Sequence, residues 1–445
     1  MGWPIPKQAK PQAPKRMDWK MWMLALLACL GVGSAAVVFF WPTGRTTHTQ
    51  MFWALVAGLP MSVFAIMFGV KYNIWEQQQL EYEEQLHENA RLMALWHEWA
   101  NRDVVAVAAA SWLGGIESTE QWEQRDYELP VNLGRGRKLK RREESPETLE
   151  QRQDGSHDEV QDKRKRRCEE VISLVIERFS VQLKNIESLQ VVVVLDENGA
   201  KTGANGEAEA GAGGEVKTDA DADTDTQAEK ETTSEWTEAV EKAFAGLVAK
   251  LAVEIHPATT MSAWLARWVD QDALPFTLVI AGQLHGDEET DAEDAAGYSE
   301  GIAALLLDAS NPATRKRQAK FPAGCRLLRP MTCIVGRMAE DIRQMADIQV
   351  GNDTIDVIWC CALDKDTDSK LHVALGQDLT TKQAVVRNVD GALGLPGPLS
   401  AWMALALGVE MALRSARTQL VTARDAGEPL VLCTLLPVNV KGEAS

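Results

Sequence analysis

Hydrophobic and polar positions fall along this chain in three textures, and each predicts a different kind of element. Near the amino end stand two uninterrupted apolar runs: Met21 to Trp41 is 21 residues without a charge, and Met51 to Val70 is another 20. About 20 helical residues cross a hydrocarbon core, so both runs predict transmembrane helices. The linker Pro42 to Gln50 is too short for a domain and contains the turn-prone Pro42-Thr43-Gly44, so the spans are expected to form a hairpin. A cleaved signal peptide is the alternative for the first run, but the stretch is long for that role and a second run follows at once. Pro60 either kinks the second span or is tolerated there by packing.

The second texture runs from Lys71 to about Ala100. Trp75, Tyr82, Leu86, Met93, Trp96 and Trp99 recur at three, four or seven residues among Gln and Glu, which predicts an amphipathic helix continuing from the membrane. Its aromatic stripe reads as a packing face, with partner binding as the alternative.

The third texture alternates short apolar runs with helical patterns. Strands are expected at Val104 to Ala109, Leu189 to Leu195, Ala252 to Ile255, Phe276 to Ala281, Gly301 to Asp308, Thr332 to Val335, Ile355 to Cys361, Val385 to Arg387 and Leu430 to Leu436. Helices are expected at Cys168 to Leu183, Glu235 to Ala252, Ser262 to Asp270, Ala339 to Ile348 and Leu399 to Ala416. Buried strands alternating with helices indicate an α/β domain with helices on both sheet faces. The tract from about Asn198 to Thr233 is Gly, Ala, Asp and Glu, cannot bury a core, and is expected to be a disordered insertion.

Charge changes this picture in two ways. Lys7, Lys10, Lys15, Arg16 and Lys20 precede the first span, whereas the linker holds only Arg45 and His48, so the amino terminus is expected in the cytoplasm. Two crossings return the remainder to the same side. The net charge of -18 argues against a nucleic-acid binder, because neutralising phosphates needs a surplus of Lys and Arg. That acidity is local: Glu197–Glu231 and Asp287–Asp294 hold 13 of the 18 excess negative charges, which leaves the rest nearly balanced. Basic clusters at Arg135–Arg142 and Lys163–Arg167 are either contacts for anionic headgroups or a solvated loop and a charged helix start.

Candidate chemistry is sparse. Seven cysteines, at 29, 168, 325, 333, 360, 361 and 433, form no close C-x-x-C pair, so neither a disulfide framework nor a zinc site is expected and a reducing compartment is the simpler reading. The glycine-rich run Gly391 to Pro398 lacks the lysine and spacing of a phosphate loop and reads as close strand-to-helix packing. Asp287 to Asp294 lacks the ligand spacing of a calcium loop, and no G-x-S-x-G elbow occurs. Cys360-Cys361 ends an apolar strand without a matched base, which favours buried, inert thiols.

The order of local patterns over residues 100–440 resembles the thiolase-like fold of β-ketoacyl synthases. RDVVAVAAASWL is similar to that family's first strand and turn, LPFTLVIAG to its strand ending in glycines, and YSEGIAALLLD to the following hairpin strand. IDVIWCCALDKDT stands where the family has a strand ending in A-H-G-T-G-T, and NVDGALGLPGPLSAWMALALG where it has N-x-G-H-x-x-G-A-A-G before a buried helix. The resemblance implies a five-layer αβαβα domain made of two similar halves, 101–310 with the acidic insert 198–233, and 311–445, behind a basic segment 1–20, a membrane hairpin 21–71 and a juxtamembrane helix 72–100.

It also implies a cysteine nucleophile at a helix start and two histidines. The nucleophile region, IHPATTMSAWL, offers Thr259, Thr260 and Ser262; the first histidine position aligns with Cys361 and the second with Ala392. His256 and His372 lie nearby in sequence but in no matching motif. The expectation is therefore a pseudoenzyme with no catalytic, cofactor-binding or metal residues, anchored in the bacterial inner membrane with its domain in the cytoplasm. Such a protein would act as an adaptor or scaffold for a protein partner, as a homodimer or singly, and the plan resembles type VI secretion accessories, including lipase-effector adaptors. The alternatives are an acyl-transferring or condensing enzyme with a relocated nucleophile, Cys361 or Ser262, and an acyl-chain or lipid binding module.

Overall fold

The structure is a computed structural model that describes residues 2–42, 46–113, 157–196, 233–257, 260–271, 276–283, 300–308, 321, 323–351, 353–378, 380–393, 397–424 and 430–439. Gly114-Gly115, whose sequence predicts a turn after the first strand, the basic cluster 135–142, Thr259, the acidic loop 287–294 and all but the last residue of the tract 198–233 lie outside these residues. The chain divides into two compact units, Ile5–Glu98 and Met1–Pro4 with Trp99–Ser445.

In the first unit, α1 (Trp19–Phe39) starts at Asp18, whose side chain accepts from the Lys20 N–H at 3.0 Å and so satisfies an orphan donor of the first turn. The second helix, α2 (Gln50–Ala100), runs for 51 residues, about 75 Å at about 1.5 Å per residue. Both helices are long and apolar enough to cross a membrane. They pack as a hairpin, with Trp22 edge-on to Phe64 and Phe68 at 6.1 and 5.2 Å and Trp41 against Phe52 at 4.8 Å. Pro60 stays inside α2, and its ring presses on Gly33, where a Cβ would come within 2.5 Å of Pro60 Cγ. A small residue there lets the helices approach. Beyond Val70, Trp75, Tyr82, Met93 and Trp96 are half-buried and Leu86 is exposed.

The second unit is built from two copies of one pattern. The first comprises β1 (Asp103–Leu113), α3 (His157–Leu183), β2 (Ser188–Asp196), α4 (233–244), β3 (Lys250–Pro257), α5 (Met261–Asp270), β4 (Thr277–Gln283) and β5 (Gly301–Asp308). The second comprises β6 (Ala323–Leu328) with the short β7 (Met331–Cys333), α6 (Met338–Met345), β8 (Val357–Cys361), α7 (Lys365–Gln377), β9 (Val385–Asn388), α8 (Ser400–Ser415), β10 (Gln419–Arg424) and β11 (Leu430–Asn439). Strand order is β3-β2-β4-β5-β1 in the first and β9-β8-β10-β11-β6 in the second, the same order twice. In each, the second strand of that order, β2 or β8, is parallel to both its neighbours, and the two remaining pairings are antiparallel. The halves join where β1 pairs β6, Asp103 opposite Leu328.

Side-chain alternation along the strands sets the layers. Val191 and Val193 of β2 face a core with Ile172 and Phe179 of α3 and Trp236 and Phe244 of α4. Val192 and Val194 face the opposite way, into an inner core with Leu265 and Trp268 of α5, Trp402 and Leu405 of α8, and Trp359, Val421 and Cys433 of the second half. Ile358, Cys360 and Leu420 point away from that inner core and are also buried, as are Ile342, Met345 and Leu371 of α6 and α7. The result is the expected mixed α/β domain of helix, sheet, helix, sheet and helix layers. Helix α8 is buried from Ser400 to Ala412, as its unbroken apolar sequence requires. Its one charge there, Glu410, is matched by Arg178 at 3.2 Å and Arg414 at 2.9 Å.

Several element boundaries are corrected. The helix expected to reach Ala252 ends at 244, because Gly246 takes φ 84 and turns the chain into β3. The helix expected to reach Ile348 ends at Met345 and continues as a π turn, Ala346–Val350. β6, α7 and β10 had no counterpart in the sequence reading.

Candidate functional site

The carboxyl ends of β8 and β9 lie side by side, Cys360 opposite Asn388, so the two segments aligned with the family's histidine motifs do meet. β8 ends at Cys361, and the next residue, Ala362, takes φ 56, a left-handed conformation uncommon outside glycine. Asp390 holds this turn: its Oδ1 accepts from the Ala362 N–H at 2.9 Å and from the Cys361 thiol at 3.3 Å. Asn388 in turn places Asp390, accepting the Asp390 N–H at 2.9 Å and the Gly391 N–H at 3.3 Å, which caps the short helical turn Asp390–Leu393. The thiol also lies 3.5 Å from the Ser400 carbonyl at the start of α8.

A thiol with one proton thus sits between a carboxylate and a carbonyl, both acceptors. Burial pushes the Cys361 thiol well above its ordinary value, and the Asp390 charge adds to the shift. Burial also raises the Asp390 carboxyl, opposed by the Ala362 N–H. Cys360, on the other sheet face, is pushed up to about 12, by burial first and then by the charges of Asp368 and Asp390. Cys433 reaches about 12 through burial alone. All seven cysteines are free thiols, and every one outside the membrane-crossing candidates is buried.

The other predicted positions are distributed. Thr260 is the N-cap residue of α5 without a side-chain cap bond, Met261 is fully buried and shares the inner core with Cys361, and Ser262 is half-buried. His256 sits on β3, 3.4 Å from Glu254 and edge-on to Trp264 at 4.8 Å. His372 is an exposed residue of α7, 3.8 Å from Asp368. Among the described residues no cluster of three His, Cys, Asp or Glu could hold a metal ion.

The residue that sequence reasoning missed is Asp390. The signal was available: Asn388-Val389-Asp390-Gly391 after a short strand is a helix-start pattern, with an Asx side chain placed to cap the following N–H groups.

No family model matches the chain, and no curated protein matches it. Solved structures similar to it include a tetronic acid condensing enzyme, 12% identical over 75% of this chain and 99% of the other, with a TM-score of 0.40. Ketosynthase twelve from the bacillaene polyketide synthase of Bacillus amyloliquefaciens is 12% identical over 76% of this chain and 73% of its own, with a TM-score of 0.45. The ishigamide ketosynthase/chain length factor is 11% identical over 76% and 99%, also at 0.45. These are likenesses of fold and say nothing of chemistry.

Proposed function

We propose that this protein is a membrane-anchored, non-catalytic relative of the condensing enzymes that serves as an adaptor or scaffold for a protein partner. The observation that carries this reading is the Cys361 thiol donating to the Asp390 carboxylate. A cysteine nucleophile works as thiolate and needs an electropositive setting; a buried carboxylate 3.3 Å away favours the protonated form. The same carboxylate would repel an oxyanion developing beside it, where donors would be required. Where the family resemblance calls for a cysteine nucleophile, the segment IHPATTMSAWL offers only Thr259, Thr260 and Ser262, and where it calls for the first histidine the chain has Cys361.

A fold retained without this chemistry offers a large, rigid surface, and a membrane hairpin raises its effective concentration near other membrane machinery. The basic amino-terminal flank and the free thiols support placement on the cytoplasmic face of a bacterial inner membrane. The partner we propose is a type VI secretion component or effector, on the strength of the resemblance in overall plan. Affinity purification from native membranes tests this: a secretion-spike component or lipase effector is expected to co-purify equally with wild type and Cys361→Ala. An acyl group in thioester linkage that disappears in Cys361→Ala, or in ester linkage that disappears in Ser262→Ala, would overturn the reading in favour of a relocated nucleophile. A stoichiometric lipid in the mass spectrum of the purified protein would favour an acyl-chain binding module instead.

A further inference from the structure

The first residues of the chain belong to the α/β unit rather than to the helical one that follows them. Trp3 is 7% exposed, and its indole N–H donates to the Pro330 carbonyl at 3.2 Å. Gln344 of α6 donates to the Trp3 carbonyl at 3.1 Å, and the Trp3 ring meets Trp99 edge-on at 6.2 Å. The seat for Trp3 is itself braced. The Arg329 guanidinium lies 4.1 Å from the Trp99 ring centre, pairs with Asp270, and donates to the Trp99 carbonyl at 3.0 Å. Gln349 bridges the Ala100 and Arg329 carbonyls at 3.0 and 2.9 Å. A large aromatic side chain buried with its polar atom satisfied is a built contact, the kind that dominates interface energetics.

Residues 4–18 join this plug to α1 without helix or strand, and they carry Pro4, Pro6, Pro11 and Pro14. Ala9 accepts from Asn89 of α2 at 2.9 Å, and Trp19 packs on Phe68 at 6.0 Å.

We propose that Gly2-Trp3 is a plug seated in a dedicated receptor formed by Trp99, Arg329, Pro330 and Gln344, and that residues 4–18 are a strap running back along α2. It follows that the amino terminus and the α/β unit lie on one side of the membrane, a consequence that rests on α1 and α2 both crossing it. The occupant of the receptor is this chain's own amino terminus.

Limited trypsin digestion of the full-length protein in sealed vesicles with the α/β unit outward tests the plug, because Lys7, Lys15 and Arg16 lie in the strap. Release of the peptide 1–7, followed by mass spectrometry, is expected to be slow in wild type and at least about tenfold faster in Trp3→Ala, with Trp3→Phe between them, while fragments of the α/β unit form at an unchanged rate. Should Trp3→Ala also hasten digestion of the α/β unit, Gln344→Ala decides: losing one hydrogen bond is expected to speed strap cleavage about fivefold and nothing else. Equal strap cleavage in wild type and both variants, or cleavage only from the opposite face, overturns the proposal. Extraction of the protein by alkaline carbonate would remove the membrane reading while leaving the cleavage comparison to judge the plug.

Discussion

At Cys361 the decisive quantity is burial, and the nearby charge is secondary. Asp390→Asn removes that charge but leaves the thiol in the inner core, so Cys361 is expected to stay unlabelled by a small maleimide at pH 8 in both proteins. Intact-protein mass spectrometry checks this, and labelling of native wild type would contradict the buried, protonated thiol. Asp390→Ala is a different experiment, since it strands the Ala362 N–H without its acceptor and leaves the thiol only the Ser400 carbonyl. A loss of about 1–3 kcal/mol is expected on denaturant unfolding. Glu410 follows the same logic with the sign of the burden reversed. Its side chain is 5% exposed, whereas those of Arg178 and Arg414 are 45% and 23% exposed. Arg178→Leu with Arg414→Leu leaves the buried carboxylate with Ser111 but neither of its arginines and is expected to cost about 3–5 kcal/mol. Glu410→Gln leaves arginines that reach water and is expected to cost about 1 kcal/mol. A larger loss from Glu410→Gln than from the double variant would reverse this account.

Elements were legible in proportion to how completely their residues are buried. LQVVVVL and GIAALLLD read as strands because both faces meet a core, and the α8 segment read as a helix because it is apolar all round. β6 was missed because AGCRLL carries an arginine, which the fold uses to pair with Asp103 at 3.1 Å. Helix α7 was missed because KDTDSKLHVALGQ buries only Thr367, Leu371, Ala374 and Leu375 and shows charge elsewhere. β10 was missed because QLVTAR has only Leu420, Val421 and Ala423 as apolar residues, among Gln, Thr and Arg. The start of α7 is set by a cap: Asp364 accepts the Thr367 N–H at 2.8 Å and pairs with Arg424 at 2.6 Å. The Thr367 N–H first, then Arg424, lower the Asp364 carboxyl from 3.8 to about 2. A carboxylate held below its unfolded value stabilises the fold above about pH 4, and that contribution is lost as pH falls through about 2. Asp364→Asn keeps a capping oxygen but has no proton to gain. The acid limb of its unfolding curve, followed by circular dichroism, is therefore expected to be flatter than that of wild type.

On the scale of the whole chain, the pairing of Cys361 with Asp390 is a long-range contact: 29 residues apart in sequence, the two meet because β8 and β9 pair in parallel. What the sequence did make visible is where the chain spends its negative charge. The stretch between the end of β2 at Asp196 and the start of α4 at residue 233 holds ten acidic and three basic residues from Glu197 to Glu231 and, apart from Val216, no apolar side chain larger than alanine, a composition that predicts no packed segment. Replacing residues 198–231 by about eight Gly and Ser residues shortens the connection between two packed elements roughly fourfold. Loop closure costs about 0.6 kcal/mol per doubling, so the shortened protein is expected to be about 1 kcal/mol more stable to denaturant with an unchanged circular dichroism spectrum. A fall in stability of that size or more would mean that the stretch packs on the domain. Partner capture then separates its two remaining roles. If the shortened, folded protein no longer retains the partner that wild type retains, the acidic stretch is a contact surface for a basic partner, and capture should weaken with added salt in wild type. If capture persists, the partner is read by the folded layers, and the charge serves only to space and solvate the connection.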